Sequence, residues 1–308
     1  MTLHTGHEIL QRAQAGRYGV GAFNTDNLEI TLAIIEAAEK TRSPVMLAIT
    51  AGALKYTRDR IATIALAEAR NASVPVAVHL DHGDSFERCL WCLRNGFTSV
   101  MIDMSHADEA TNVRETRRVV DAARAVGVSV EAEIGRLVEL GAEVIISEEN
   151  ATLTTVAEAA RFAEASGCDT LAIAVGTAHG PNKGRGRPDI NHARIAEIAA
   201  AVDVPLVMHG ASSIPQDLVT RFLASGGELE GAVGIHDEDI RQAVSSGMCK
   251  VNVGTDLRIA SSTAIRELLA AKPGTTDLRK ILAPAEAEMK RVVVAKMGLL
   301  GSAGHADD

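Results

Sequence analysis

Histidines and carboxylates crowd one stretch of the chain, His79-Leu80-Asp81-His82-Gly83-Asp84. It follows an apolar, β-branched run from Val74 to Val78, bounded by Pro75, and so reads as the exit of a buried strand into a loop. Imidazole and carboxylate together are costly to bury and suit zinc or a similar divalent ion. The plainer alternative is a strand end whose polar groups reach water. The elements that carry the stretch decide between the two.

Apolar runs that read as strands cover 18–24, 44–50, 75–80, 99–103, 129–134, 170–175, 205–208 and 249–253. They alternate with amphipathic patterns over 27–41, 58–70, 85–95, 109–126, 155–166, 191–201, 215–224 and 237–246, after a short opening helix that ends at Gly16. Most of the strands are near-continuous apolar runs, as expected where both faces are buried. Strict alternation of this kind calls for an α/β chain whose parallel sheet closes as a (β/α)8 TIM barrel. An open doubly wound sheet is the alternative. Two further helices, over 255–271 and 277–297, should pack outside the barrel or against a partner. With no internal repeat, linker or low-complexity tract, residues 1–308 read as a single domain.

Composition narrows the function. Apolar residues make up 46% of the chain, ample for a core, whereas aromatics are only 3%, too few for base-stacking platforms. A formal net charge of −9 argues against nucleic acid and against an anionic membrane surface. Neither a basic-then-apolar leader nor an apolar run of about 18 residues is visible, so a cytoplasmic enzyme is expected. Cys89 and Cys92 form a Cys-x-x-Cys without a second pair; set among Leu90, Trp91 and Leu93, they read as helix packing.

On a barrel, chemistry gathers at the C-terminal ends of the strands. Those ends carry Asn24, Thr50, Asp81 with His82, Asp103 with Ser105, Glu131 and Glu133, Gly176 to His179, His209-Gly210, and Asn252 to Asp256. Nearly every strand delivers a ligating or hydrogen-bonding residue to one rim. His82, His179 and His209 follow the third, sixth and seventh strands, and three imidazoles with an open fourth position are the pattern of a catalytic zinc site. The other histidines, such as His4, His7 and His305, read as solvent or packing residues. Gly176-Thr177-Ala178-His179-Gly180, His209-Gly210-Ala211-Ser212-Ser213 and Asn252-Val253-Gly254-Thr255 bring unhindered backbone N–H groups to the same rim, where barrels often bind phosphate. Lys183 is a candidate countercharge; Arg185 and Arg187 beside it read as solvated.

Four blocks, His79-Leu80-Asp81-His82-Gly83, Val130-Glu131-Ala132-Glu133-Ile134-Gly135, Gly176-Thr177-Ala178-His179-Gly180 and His209-Gly210-Ala211-Ser212, resemble the signatures of class II, zinc-dependent ketose-bisphosphate aldolases. That family includes the fructose-1,6-bisphosphate and tagatose-1,6-bisphosphate enzymes, and the resemblance covers nearly the whole chain. It implies a catalytic Zn2+ on His82, His179 and His209, with Glu133 and Asp103 at an alternative or second cation position. Asp81 matches the acid/base that exchanges a proton with the C4 oxygen. Gly180, Lys183, Gly210, Ser212, Asn252 and Thr255 match positions on the dihydroxyacetone phosphate moiety, and Arg258 one at the distal phosphate. Asn24, Thr50, Ala211, Val253 and Gly254 complete the expected substrate-binding set. A small sugar phosphate as substrate and a homodimer or homotetramer are implied as well.

Two departures stand out. The family's loop after the fifth strand carries a Gly-Gly pair followed by adjacent acids, one of which moves a proton at C3. Here the stretch reads Arg136-Leu137-Val138-Glu139-Leu140-Gly141-Ala142-Glu143, so Glu139 or Glu143 is the candidate substitute. Gly254 stands where the fructose-bisphosphate enzymes generally carry Asp, while Arg258 and the Gly226-Gly227 insertion look more like that group. Two other readings stay open: a metal-dependent aldolase or epimerase on a different or modified sugar, and a non-catalytic companion subunit.

Overall fold

The computed structural model describes residues 2–135, 138–139, 153–179, 189–229 and 234–308, with backbone alone at 138–139 and 178–179. The strands are β1 (Val20–Asn24), β2 (Val45–Thr50), β3 (Val76–Gly83), β4 (Ser99–Ile102), β5 (Ser129–Ile134), β6 (Val138–Glu139), β7 (Thr170–Ile173), β8 (Ala178–His179), β9 (Leu206–Met208) and β10 (Met248–Val253). The helices are α1 (Gly6–Gly16), α2 (Leu28–Thr41), α3 (Ala51–Thr57), α4 (Arg60–Asn71), α5 (Phe86–Arg94), α6 (Glu109–Arg124), α7 (Val156–Ser166), α8 (His192–Ala201), α9 (Gln216–Ala224), α10 (Asp237–Ser245), α11 (Thr255–Ala271) and α12 (Leu278–Leu300).

Eight strands pair in parallel and close in the order β1-β2-β3-β4-β5-β7-β9-β10, back to β1. This is the barrel that the alternation predicts. The strands bury every residue except a few at their C-terminal ends, such as Asn24, Thr50 and His82, which is why they read as apolar runs. Helices start directly where side-chain caps allow: Asn27, Ser85 and Asp108 each accept a hydrogen bond from a backbone N–H of the first turn. The bottom of the barrel is plugged by α1, whose Ile9, Leu10 and Ala13 pack with Val20, Ala22, Met46, Ala48 and Ala77. Outside the barrel, α12 packs on α2 and α11.

Two elements differ from the sequence reading. A helix of about two turns, α3, follows β2 at once, because the Thr50 side chain accepts from Ala53 N (3.1 Å) and starts it. A small two-stranded sheet, β6 with β8, pairs Val138 with Ala178 and Glu139 with His179.

Candidate active site

The central stretch is the C-terminal end of β3, which runs three residues beyond the Leu80 where the sequence reading ends it. Strand β3 continues through Gly83, and its pairing with β4 slips between Leu80↔Val100 and Gly83↔Ile102, an extra residue on β3. His82 absorbs the bulge at a left-handed φ of 48°. In a regular strand Asp81 and His82 would point to opposite faces; across the bulge, ligand atoms of both lie within 4.8 Å of each other and of His209. Gly83 is needed at the close approach that follows, since a Cβ there would lie 2.3 Å from Met101 O. The polar groups do not simply reach water. Asp81 and His79 are buried, and only Asp84, the last residue of the stretch, is exposed.

Asp81 is clamped by two amides: Asn24 Nδ2 donates to its Oδ2 (2.7 Å) and Asn252 Nδ2 to its Oδ1 (2.9 Å). Burial pushes this carboxyl up, but His82, Lys250 and His209 together outweigh that and hold it well below the usual range. His82 Nδ1 donates to Asp103 Oδ2 (2.7 Å), and Ser105 holds the other Asp103 oxygen through N–H (3.1 Å) and Oγ (2.8 Å). Burial would drive the His82 proton off, yet the hydrogen bond to Asp103 and the charges of Asp81 and Glu133 push its pKa up to about 10. Asp103 stays ionised, the bond from His82 overcoming its burial. His209 donates from Nδ1 to Glu133 Oε2 and from Nε2 to Glu131 Oε1, both at 2.9 Å. Its pKa is raised, because Glu133 and Glu131 more than offset burial. The His82 and His209 rings stand 4.6 Å apart.

Two overlapping sets of donors converge here: Asp81, His82 and His209, and His82, Asp103 and Glu133, each with its ligand atoms within 4.8 Å of one another. Imidazoles with carboxylates suit a divalent cation of the zinc type. Both imidazoles hold protons that a cation would displace. Asn252 Oδ1 and Thr177 Oγ1 are buried beside this rim with no partner among the described residues, and a bound ligand's hydroxyls would satisfy them.

Sequence comparison agrees with this geometry. The family described as Fructose-bisphosphate aldolase class-II matches residues 4–305. The chain belongs to the class II fructose-bisphosphate aldolases. It is 55% identical over 304 residues to the fructose-bisphosphate aldolase of Thermus caldophilus, covering 99% of this chain and 100% of that one. To the fructose-bisphosphate aldolase of Helicobacter pylori strain J99 it is 42% identical over 300 residues, 97% and 98% of the two chains. Among solved structures, the YdjI aldolase from Escherichia coli K12 superposes with a TM-score of 0.81 at 29% identity, over 99% of this chain and 100% of that one. A class II aldolase is a carbon–carbon lyase, and the family is generally zinc-dependent.

The aldolase barrel brings Asp81, His82, Asp103, Glu133 and His209 together, with Asn24 and Asn252 on Asp81. Ala211 and Ser212 are buried next to His209, and Gly210 takes a left-handed φ of 63° between them. Val253 ends β10, and Gly254 and Thr255 start α11. Thr50 adjoins Asp81 through its register but spends its oxygen capping α3. Arg258 is exposed on α11, 3.7 Å from Asp26. Gly180, Lys183 and Glu143 lie outside the described residues, as do the side chains of His179 and Glu139; the backbones of those last two are register partners. All four cysteines are free and buried, and burial raises the Cys89 thiol to about 12, which bears out the packing reading of the Cys-x-x-Cys. Among the described residues no helix is long and apolar enough to cross a membrane.

The sequence reading takes His79 only as part of the opening stretch, places Glu131 at the rim and passes over Lys250; the structure sets the three together beneath the rim. Lys250 is fully buried in the barrel and reaches both oxygens of Glu131 at 2.8 Å and His79 Nε2 at 3.2 Å. A lysine inside an apolar parallel strand was the available signal, since such a charge demands a partner.

Proposed function

We propose that the enzyme reversibly cleaves fructose 1,6-bisphosphate to dihydroxyacetone phosphate and glyceraldehyde 3-phosphate, using Zn2+ on His82, His179 and His209. The observation that carries the reading is Asp81, held in place by two amide donors and kept ionised by the neighbouring His82, Lys250 and His209, beside the His82–His209 ring pair. Substrate identity draws on relatives named fructose-bisphosphate aldolase at 55% and 42% identity.

Zinc bound there supplies Lewis-acid stabilisation of the negative charge that develops beside the ketone as the C3–C4 bond breaks. Asp81 takes the proton of the C4 hydroxyl, for which an ionised carboxylate is the required form. The two amides keep its oxygens aimed and limit its rotation. Asp103 orients His82, and Glu133 with Asp103 offers an alternative cation position. Asn252 Oδ1 is an acceptor for a ketose hydroxyl. The Gly210-Ala211-Ser212 turn, with Gly180, Lys183, Val253 and Thr255, takes the phosphate of the dihydroxyacetone half, and Arg258 the distal phosphate. Glu139 or Glu143 exchanges the proton at C3. We place this single-domain enzyme in the cytoplasm, in keeping with four free cysteines, and as a homo-oligomer whose contacts involve α11 and α12.

The test is dihydroxyacetone phosphate release from fructose 1,6-bisphosphate and from tagatose 1,6-bisphosphate, with and without a chelator. Chelator-sensitive release, faster from the fructose sugar, is expected. Absence of release from both, with zinc bound, would overturn the assignment.

A further inference from the structure

Beneath the reacting groups lies a second polar layer that the aldol chemistry leaves without a task. His79, Glu131 and Lys250 each stand two residues before a rim residue, Asp81, Glu133 and Asn252, and two-residue spacing along a strand returns to the same face. All three are 0–1% exposed. They form one chain of hydrogen bonds. His79 Nδ1–H donates to Ser99 Oγ (2.8 Å), Lys250 Nζ donates to His79 Nε2 (3.2 Å) and to both oxygens of Glu131 (2.8 Å each), and His209 Nε2–H donates to Glu131 Oε1 (2.9 Å).

A buried ion pair of this kind seldom adds net stability over apolar packing of the same volume. What it does supply is a fixed geometry. Glu131 is held through both oxygens, so it cannot turn away from His209, and His209 Nε2 is committed to it as a donor. The other ring nitrogen, Nδ1, points the opposite way, toward Glu133, whose Oε2 is also 3.8 Å from His82 Nδ1. Among the described residues, Glu133 is a member of a cation-binding set and Glu131 of none. The two faces of the His209 ring edge are therefore unequal: one is locked into the barrel interior and the other faces the donors.

We propose that Glu131, clamped by Lys250 and through it by His79, is a positioning residue that fixes His209 with Nε2 protonated and presents Nδ1 to the metal. The proposal rests on the zinc reading above. Carboxylates that hold the second nitrogen of a metal-bound imidazole set its tautomer and orientation, and their loss costs about 10–100-fold in metal affinity.

The experiment compares wild type with the paired variant Glu131→Gln/Lys250→Met, which removes both charges and leaves no uncompensated ion in the core. Zinc affinity is read by competition with a chromophoric chelator, and coordination by the visible spectrum of the Co2+-loaded protein. A folded double variant is expected to bind zinc about 10–100-fold more weakly, with a changed Co2+ spectrum. Wild-type affinity and spectrum in that variant would overturn the proposal. Nitrogen-15 NMR of histidine-labelled, zinc-loaded wild type needs no variant: Nε2 protonated and Nδ1 metal-bound at His209 is the expected pattern, and metal on Nε2 refutes it. A wild-type chain that takes up no zinc would bring down the metal reading itself, a result distinct from zinc bound through the wrong nitrogen.

Discussion

Gly254 and Asn24 leave no room between them. A Cβ on residue 254 would sit 2.3 Å from Asn24 Oδ1, while the same Asn24 side chain donates to Asp81 at 2.7 Å. The glycine at the start of α11 is thus coupled to the catalytic carboxylate through one amide.

Substituting Gly254 should therefore act on the proton-transfer step. Gly254→Ala forces the Asn24 amide to swing, and Asp81 loses one of its two donors. A fall of about tenfold in kcat is expected, the size of one lost hydrogen bond to a charged group. Because both changes act through one contact, Asn24→Ala/Gly254→Ala should be no slower than Asn24→Ala alone. Additive losses in steady-state kinetics of the three variants would show that Gly254 acts by another route.

Asp81 itself carries the C4 proton. Asp81→Asn keeps the shape and the neighbours but has no basic oxygen, so kcat should fall by about 10²–10⁴ while the zinc content of the purified protein is unchanged. Turnover near wild type at full zinc occupancy would move the base elsewhere.

The barrel was legible because eight buried apolar strands are separated throughout by amphipathic helices, the pattern of parallel strands joined by helical crossovers. The rim was legible because Asp81, His82 and His209 fall at strand ends. The bulge at His82 was not, since it rests on a slip in pairing between β3 and β4 that has no local signature beyond Gly83. The layer of His79, Glu131 and Lys250 was hidden differently. His79 and Glu131 stand in the sequence beside the rim residues and read with them, Lys250 sits inside an apolar run, and only stepping back by two from Asp81, Glu133 and Asn252 separates three ionisable groups at one lower level. Strand α-to-β boundaries shifted by a residue or two, as at 170–175 against β7; the start of α3 depends on a single Thr50 cap.

A second buried ion pair fixes the turn that follows His209. Lys296 on α12 lies 3.0 Å from the fully buried Asp256 and also donates to the Ser213 carbonyl, while Ser213 N donates to Asp256 Oδ1 (3.2 Å). Lys296→Met would strand the Asp256 carboxylate in the core, a loss of about 3–5 kcal/mol. Lys296→Met/Asp256→Asn should recover part of it. Urea denaturation of the three proteins measures both quantities, and a single variant as stable as wild type would show that the pair is solvated.

Opposed titrations shape the stability of the metal-free protein. His82, raised from 6.5 to about 10, contributes stability that is complete below pH 6.5 and is lost as pH rises toward 10. His79 is lowered from 6.5 to about 3, by burial first and then by Lys250; the unfolded chain binds its proton and the folded one does not, so stability is lost as pH falls below 6.5. Asp81, Asp103 and Glu131, all depressed, add to the acid loss. The melting temperature of the apoprotein should peak near neutrality, and His79→Gln should flatten the acid limb alone. Calorimetry across pH 4–10 would contradict the assignment if His79→Gln left the acid limb unchanged.

The altered loop after β5 yields the sharpest kinetic test. Glu139 and His179 are register partners in the small β6–β8 sheet, so the chain carries one of the two candidate acids to the backbone of an expected zinc ligand. Exchange of the hydrogen on the hydroxymethyl carbon of dihydroxyacetone phosphate, the carbon that becomes C3, isolates the step such an acid performs. In D2O, the variant lacking the operative acid, Glu139→Gln or Glu143→Gln, should lose exchange and cleavage together by about 10²–10⁴, with its zinc retained. The register favours Glu139. If both variants exchange and cleave at the wild-type rate, neither glutamate replaces the family's loop acid, and the proton at C3 must be moved by a group on another element of the rim.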